Sequence, residues 1–193
     1  MPDFSKDDIV REIILQAARR VFRKWGLNKS TMEDIAREAG KGKSTLYYYF
    51  VSKDEIFDVV VKAEMAGVLK RSKEAIRDVT SAKEKLRTYL VVSFAELKNT
   101  ATLYDIVREE IKGNPHFNEA IQKQFEESEE AFLKEILALG VQQNEYAFAD
   151  ERELATAARV VLNIMRALEL YFFIEHFDTE HVDMAARLIA DGI

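Results

Sequence analysis

Residues 30–57 read STMEDIAREAGKGKSTLYYYFVSKDEIF, and the parsing of this stretch decides the fold. Thr31 and Asp34 stand three apart at the head of a short apolar run, Met32, Ile35, Ala36 and Ala39. That spacing is a capping box: the threonine oxygen accepts from a backbone amide of the first turn, and the carboxylate reaches back to the cap. Gly40 supplies the left-handed residue on which helices commonly close. Gly42 is tolerated as the cap of a second helix, Lys43 to Tyr49. A helix of about seven residues does not stand alone in water. Leu46 and Phe50, four apart, give it a face to pack. Ala36 is small enough to let the second helix cross the first closely. The stretch is therefore predicted to be a helix-turn-helix.

Gly42-Lys43-Ser44 also reads as the end of a nucleotide phosphate loop. The first glycine of that motif would fall at position 37, which is Arg37. The loop must also follow a buried strand, and here it follows a capped, helix-periodic segment. The nucleotide reading is set aside. At about 100° per residue, Ser44 and Tyr48 point farthest from the Leu46–Phe50 face, with Thr45 and Tyr47 beside them. Consecutive residues of a helix cannot all face inward, so Tyr47 and Tyr48 are not core. Lys41 and Lys43 stand at the helix start. Hydroxyls and ammonium groups at the N-terminal end of a short helix suit the major groove of DNA, where they reach base edges and phosphates.

The charge distribution agrees. Residues 1–53 carry 11 basic and 7 acidic side chains and the remainder 17 and 27, so a head of net +4 adjoins a body of net −10. Such asymmetry marks an anion-facing end. With 7 Gly and 2 Pro in 193 residues, little of the chain is turn, and helix formers dominate. The absence of Cys excludes disulfides and thiolate metal sites. The start MPDFSKDDIV is acidic and does not read as a signal peptide. No run of about 18 apolar residues is present, so no membrane span is expected. The expected location is the cytoplasm.

Further helix starts are read at Ser5…Asp8, Ser52…Glu55, Ser81…Glu84, Asn114-Pro115, Asp150…Glu153 and Asp178-Thr179, with Val51 and Ile56 placed as a hydrophobic staple. The total is about nine helices, three of them short and crowded into the first 53 residues. The fold class expected is all-α: a three-helix head over 1–52 and a larger helical body over 53–193.

Residues 30–57, with the upstream AARRVFRKWGLNKST, resemble the signature of the tetracycline-repressor (TetR) family. The match spans residues 9–57; beyond it the chain matches in general form, with LGVQQNEYAFADERELA similar to the usual connector before the dimerisation helices. The resemblance implies a homodimeric transcriptional repressor that binds a palindromic or pseudo-palindromic operator in double-stranded DNA and is released by a small molecule. It assigns Thr31 to phosphate, Lys43, Ser44 and Thr45 to base edges, Tyr47, Tyr48 and Tyr49 to the DNA backbone, and Lys53 to phosphate. The sequence departs from the family pattern at the turn: Lys41 replaces an apolar residue, Gly42 a serine cap, and Ser44 a common glycine. Lys41 can snorkel to phosphate. No enzymatic activity, cofactor or metal is expected.

A dimer is also expected because so small a head needs two copies on DNA. The helix after Asp150 and the last helix, Thr179 to Asp191, are the expected interface, since apolar residues fall on two faces of the former. Asn163, Arg166 and Glu169 interrupt it, and three placements stay open: lining a pocket, pairing across the dimer, or facing water. A pocket for a partly apolar effector draws on Met65, Tyr89, Phe94, Tyr104, Phe125, Arg166 and Tyr171, each more readily read as plain core than as ligand wall. The three histidines lack metal-ligand spacing.

Overall fold

Each capping signal marks a place where the chain turns helical. The structure, a computed structural model, describes residues 5–99, 115–174 and 179–192. Among the described residues there are eight helices and no strand. They are α1 (Lys6–Lys29), α2 (Met32–Glu38), α3 (Lys43–Tyr49), α4 (Lys53–Ala75), α5 (Ala82–Asn99), α6 (Pro115–Gln142), α7 (Glu151–Ile174) and α8 (Thr179–Gly192). The boxes at Ser5–Asp8 and Thr31–Asp34 are reciprocal. At α4, α5 and α7 the amides of Glu55, Glu84 and Glu153 donate to Ser52, Ser81 and Asp150 at 3.1, 3.3 and 2.8 Å. Val51 is 80% exposed, so the staple with Ile56 is not made.

The first helix corrects one expectation. It is 24 residues long, so the head holds one long helix and two short ones rather than three short ones. Its regular run breaks at Gly26, where φ is 74°, and one more turn follows. A left-handed residue there costs a glycine little. The Ser30 hydroxyl donates to the Gly26 carbonyl at 2.5 Å and secures the break.

The head packs α1, α2 and α3 around Ile14, Phe22, Ile35, Leu46 and Phe50, all fully buried. Phe57 of α4 meets Phe22 edge-on at 5.4 Å, and Ile56, Val60 and Val61 are buried with it. Arg19 reaches Glu64 of α4 at 2.8 Å. These contacts hold the first turns of α4 to the head. The compact head unit accordingly runs to Ala66 and the second unit starts at Gly67, inside α4 and past the 52/53 position where charge and helix length change.

In the second unit α5 packs on α6 and α8, and α6 on α7. Its core is built from Leu86, Tyr89 and Leu90 of α5, Leu133, Ile136 and Leu137 of α6, and Val161, Leu162 and Met165 of α7. The connector between α6 and α7 is braced. A Cβ on Gly140 would meet the Tyr146 ring at 2.1 Å, so only glycine lets that ring close over the helix end. The Glu145 carboxylate accepts from Lys83 N at 2.8 Å and Ser81 Oγ at 3.1 Å, and the Gln143 side-chain carbonyl accepts from Ala82 N at 2.9 Å. The connector thereby caps the start of α5. Both α7 and α8 carry a second, outward apolar stripe: Val160 and Ile164 on one, Met184 and Leu188 on the other. No described helix is long and apolar enough to cross a membrane.

Candidate nucleic-acid interface

The turn between α2 and α3 is closed by backbone alone. Gly40 sits at φ 63°, its N–H donates to Arg37 O at 3.2 Å, and Lys41 N–H donates to Ala36 O at 3.0 Å. This paired closure satisfies two carbonyls that α2 would leave open. Gly42 then caps α3 in an extended conformation without a side-chain bond. Leu46 at 0% and Phe50 at 1% exposure anchor the short helix, as their spacing requires. The opposite face is left to solvent. Lys43 and Ser44 are exposed, Tyr48 is 76% exposed and Tyr47 47%. Thr45, Tyr49 and Lys41 are half-buried at its edges. Eight of the nine residues singled out for DNA thus lie on α3, its turn and the start of α2.

Several of these groups are already engaged. The Thr31 hydroxyl accepts from Asp34 N at 3.1 Å and donates to the Asp34 carboxylate at 2.6 Å. That bond holds the Asp34 carboxyl below its usual range. Tyr49 Oη donates to the Asp7 carboxylate at 2.7 Å, which pushes the phenol up to about 12. Its ring packs edge-on against Tyr48 at 4.9 Å. The Lys43 ammonium pairs with the Glu33 carboxylate on α2 and lies 5.9 Å from the Tyr47 ring. The pairing lowers Glu33 and raises Lys43 from their ordinary values. Lys53, the ninth residue, turns its ammonium onto the end of α1, donating to Leu27 O at 2.8 Å and Ser30 O at 3.3 Å. It ties α4 to α1 in the structure, in addition to whatever it meets outside.

Reasoning from the sequence missed two of the carboxylates that engage this face, Glu33 and Asp7. The signal for Glu33 was available: its place in the first turn of α2, next to the turn that delivers Lys43. No local signal marks Asp7, which is 42 residues from Tyr49.

The seven residues offered for a body pocket fare differently. Arg166 lies between the Glu129 and Glu169 carboxylates, bonded to the latter at 2.8 Å, and Tyr89 Oη donates to Glu129 at 3.3 Å. Glu129 and Glu169 are buried, and burial pushes the Tyr89 phenol up. Of the three open placements for the polar residues of α7, Arg166 and Glu169 turn inward to α6, while Asn163 is exposed. Phe94 is buried, Met65 and Phe125 are half-buried, and Tyr171 is 51% exposed. Tyr104 lies outside the described residues. A cavity of about 260 Å³ opens elsewhere in this unit, between Lys73, Arg77, Lys85 and Phe132, and none of the six described candidates lines it.

Comparison with known proteins follows the same division. The model of a family described as bacterial regulatory proteins, tetR family, matches residues 14–60. The chain is 28% identical over 182 residues to the HTH-type transcriptional regulator YfiR of Bacillus subtilis (strain 168), covering 91% of this chain and 87% of that one. It is 29% identical over 102 residues to the HTH-type transcriptional repressor KstR2 of Mycolicibacterium smegmatis, 53% of this chain and 50% of the other. Among solved structures, the regulator FadR from Bacillus subtilis in complex with stearoyl-CoA superposes with a TM-score of 0.69 at 24% identity, covering 94% of this chain and 98% of that chain.

Proposed function

Because this chain belongs to the tetR family of bacterial regulatory proteins and is a DNA-binding transcriptional regulator, we propose that it works as a homodimeric repressor released from its operator by a small-molecule effector. The observation that carries this reading is the face of α3. Leu46 and Phe50 fix the helix, and lysines and hydroxyls fill its outer side on a head of net positive charge. In this reading Lys43, Ser44 and Thr45 meet base edges, Tyr47 and Tyr48 grip the backbone, and Thr31, Lys41, Tyr49 and Lys53 flank them. The role is binding rather than catalysis.

Dimerisation is supported by the outward stripes of α7 and α8. Val160, Ile164, Met184 and Leu188 gain from burial, at roughly 25 cal/mol per Å² of apolar surface. A C2 pairing buries the same stripe on both copies. Release is supported by the continuity of α4, one uninterrupted helix that starts in the head unit and ends in the body unit. An effector that binds the body better when α4 is tilted shifts the protein toward that state. Two tilted heads no longer match the spacing of their half-sites, and operator affinity falls. The repressor name of KstR2 and the stearoyl-CoA complex of FadR support repression and a partly apolar effector.

Selection of bound duplexes from randomised DNA tests the reading. The expected product is an inverted repeat with half-sites about one helical turn or more apart. Affinity for it should fall steeply with salt. Enrichment of a single unrepeated site would contradict the homodimer.

A further inference from the structure

The Glu33–Lys43 pair places a carboxylate on the face that meets DNA. Glu33 lies in the first turn of α2, two residues from Thr31, and Lys43 is the first residue of α3. Both side chains are more than half exposed, so the pair contributes little to folding. On the reading of α3 as the DNA-reading helix, its position is also unfavourable for binding, because a carboxylate there repels phosphate. Lys41, at the other end of the same turn, has no carboxylate partner among the described residues.

An ammonium has three N–H donors and no acceptor. With one donor given to Glu33, two remain. Guanine presents two acceptors, O6 and N7, at its major-groove edge, and a lysine can satisfy both. A phosphate attracts the same ammonium with no regard to sequence. A phosphate met through those two donors sets a second anion against the Glu33 carboxylate. A guanine edge is neutral and meets no such repulsion. The Tyr47 ring, 5.9 Å from the ammonium, closes a third side.

We propose that Glu33 is a positioning residue that sets sequence specificity: it holds the Lys43 ammonium toward the base edges and opposes its use as a non-specific phosphate contact. This rests on the regulator reading above. The tether trades non-specific affinity for discrimination, as repulsive elements in selective interfaces do.

The test uses the full chain, the duplex that the wild-type protein enriches from a randomised pool, and a labelled duplex of random sequence. Glu33→Gln should bind the random duplex about five-fold more tightly, the size expected of one surface ion pair removed. Its salt slope should steepen by about 1, for one added phosphate contact. The ratio of enriched to random affinity should fall. In a Lys43→Met background, Glu33→Gln should leave that ratio unchanged. An unchanged ratio in the single variant overturns the inference. So does an equal fall in the Lys43→Met background, which makes Glu33 a plain repulsive charge. If the wild-type protein enriches no sequence, the regulator reading fails first and takes this inference with it.

Discussion

At the scale of single residues, α3 separates a buried anchor from an exposed face within one helical turn. Leu46 is fully buried and Tyr48, two positions on, is the most exposed aromatic of the helix. Leu46→Ala should destabilise the protein by about 2–5 kcal/mol in urea titration. Tyr48→Phe should leave stability within about 0.5 kcal/mol and weaken DNA binding. The two neighbouring tyrosines should not behave alike. Tyr49 has given its hydroxyl to Asp7, so Tyr49→Phe should cost less DNA affinity than Tyr48→Phe in the same titration. Equal losses would show that Tyr49 leaves Asp7 on binding. The alternation of burial along α3 was legible because helix geometry is local: Leu46 and Phe50 are four apart, and everything between follows. The Tyr49–Asp7 bond and the Arg166–Glu129 pair were not, since their partners are brought together by the packing of distant helices. Arg166–Glu169, three apart on α7, was within reach of spacing alone, but its inward direction depended on Glu129.

At the scale of elements, the connector between α6 and α7 shows what resemblance cannot supply. Its sequence was similar to a family connector, yet its physical task is to cap α5. The Glu145 carboxyl lies below its ordinary value, first because it accepts from the Lys83 amide. A carboxyl depressed in the folded state contributes stability above its unfolded value, about 4.3, and loses it as pH falls through the folded value. Glu145→Gln should therefore be less stable than wild type at neutral pH, and the gap should close as pH falls through the folded value in parallel urea titrations. A gap that persists in acid would assign the effect to shape rather than charge. Gly140 is the matching steric element: Gly140→Ala forces the Tyr146 ring off the helix end, an overpacking that costs about 1–3 kcal/mol. The helix starts were legible because capping is written in side chains three residues apart. The division of α4 between two compact units was not, because charge and helix length change at Ser52 while the packing of Phe57 on Phe22 carries the head further.

At the scale of the whole molecule, the proposed repressor depends on three things: a reading face, a twin, and an effector-sensitive link. The twin is tested by Leu188→Asp, which puts a charge on the exposed stripe of α8 without touching its buried side. Sedimentation should show a dimer for wild type and a monomer for the variant, and the variant should lose most of its operator affinity with it. A dimeric variant would place the interface elsewhere. The reading face carries the central claim, and one measurement addresses it directly. Binding of the DNA upstream of its own gene should be compared between wild type and the Lys43→Ala, Tyr48→Ala double variant, with sedimentation alongside. The double variant should remain dimeric and bind at least about 30-fold more weakly, for two contacts of about 1 kcal/mol or more each. Unchanged affinity in a folded, dimeric double variant would contradict the assignment of α3 as the helix that reads DNA.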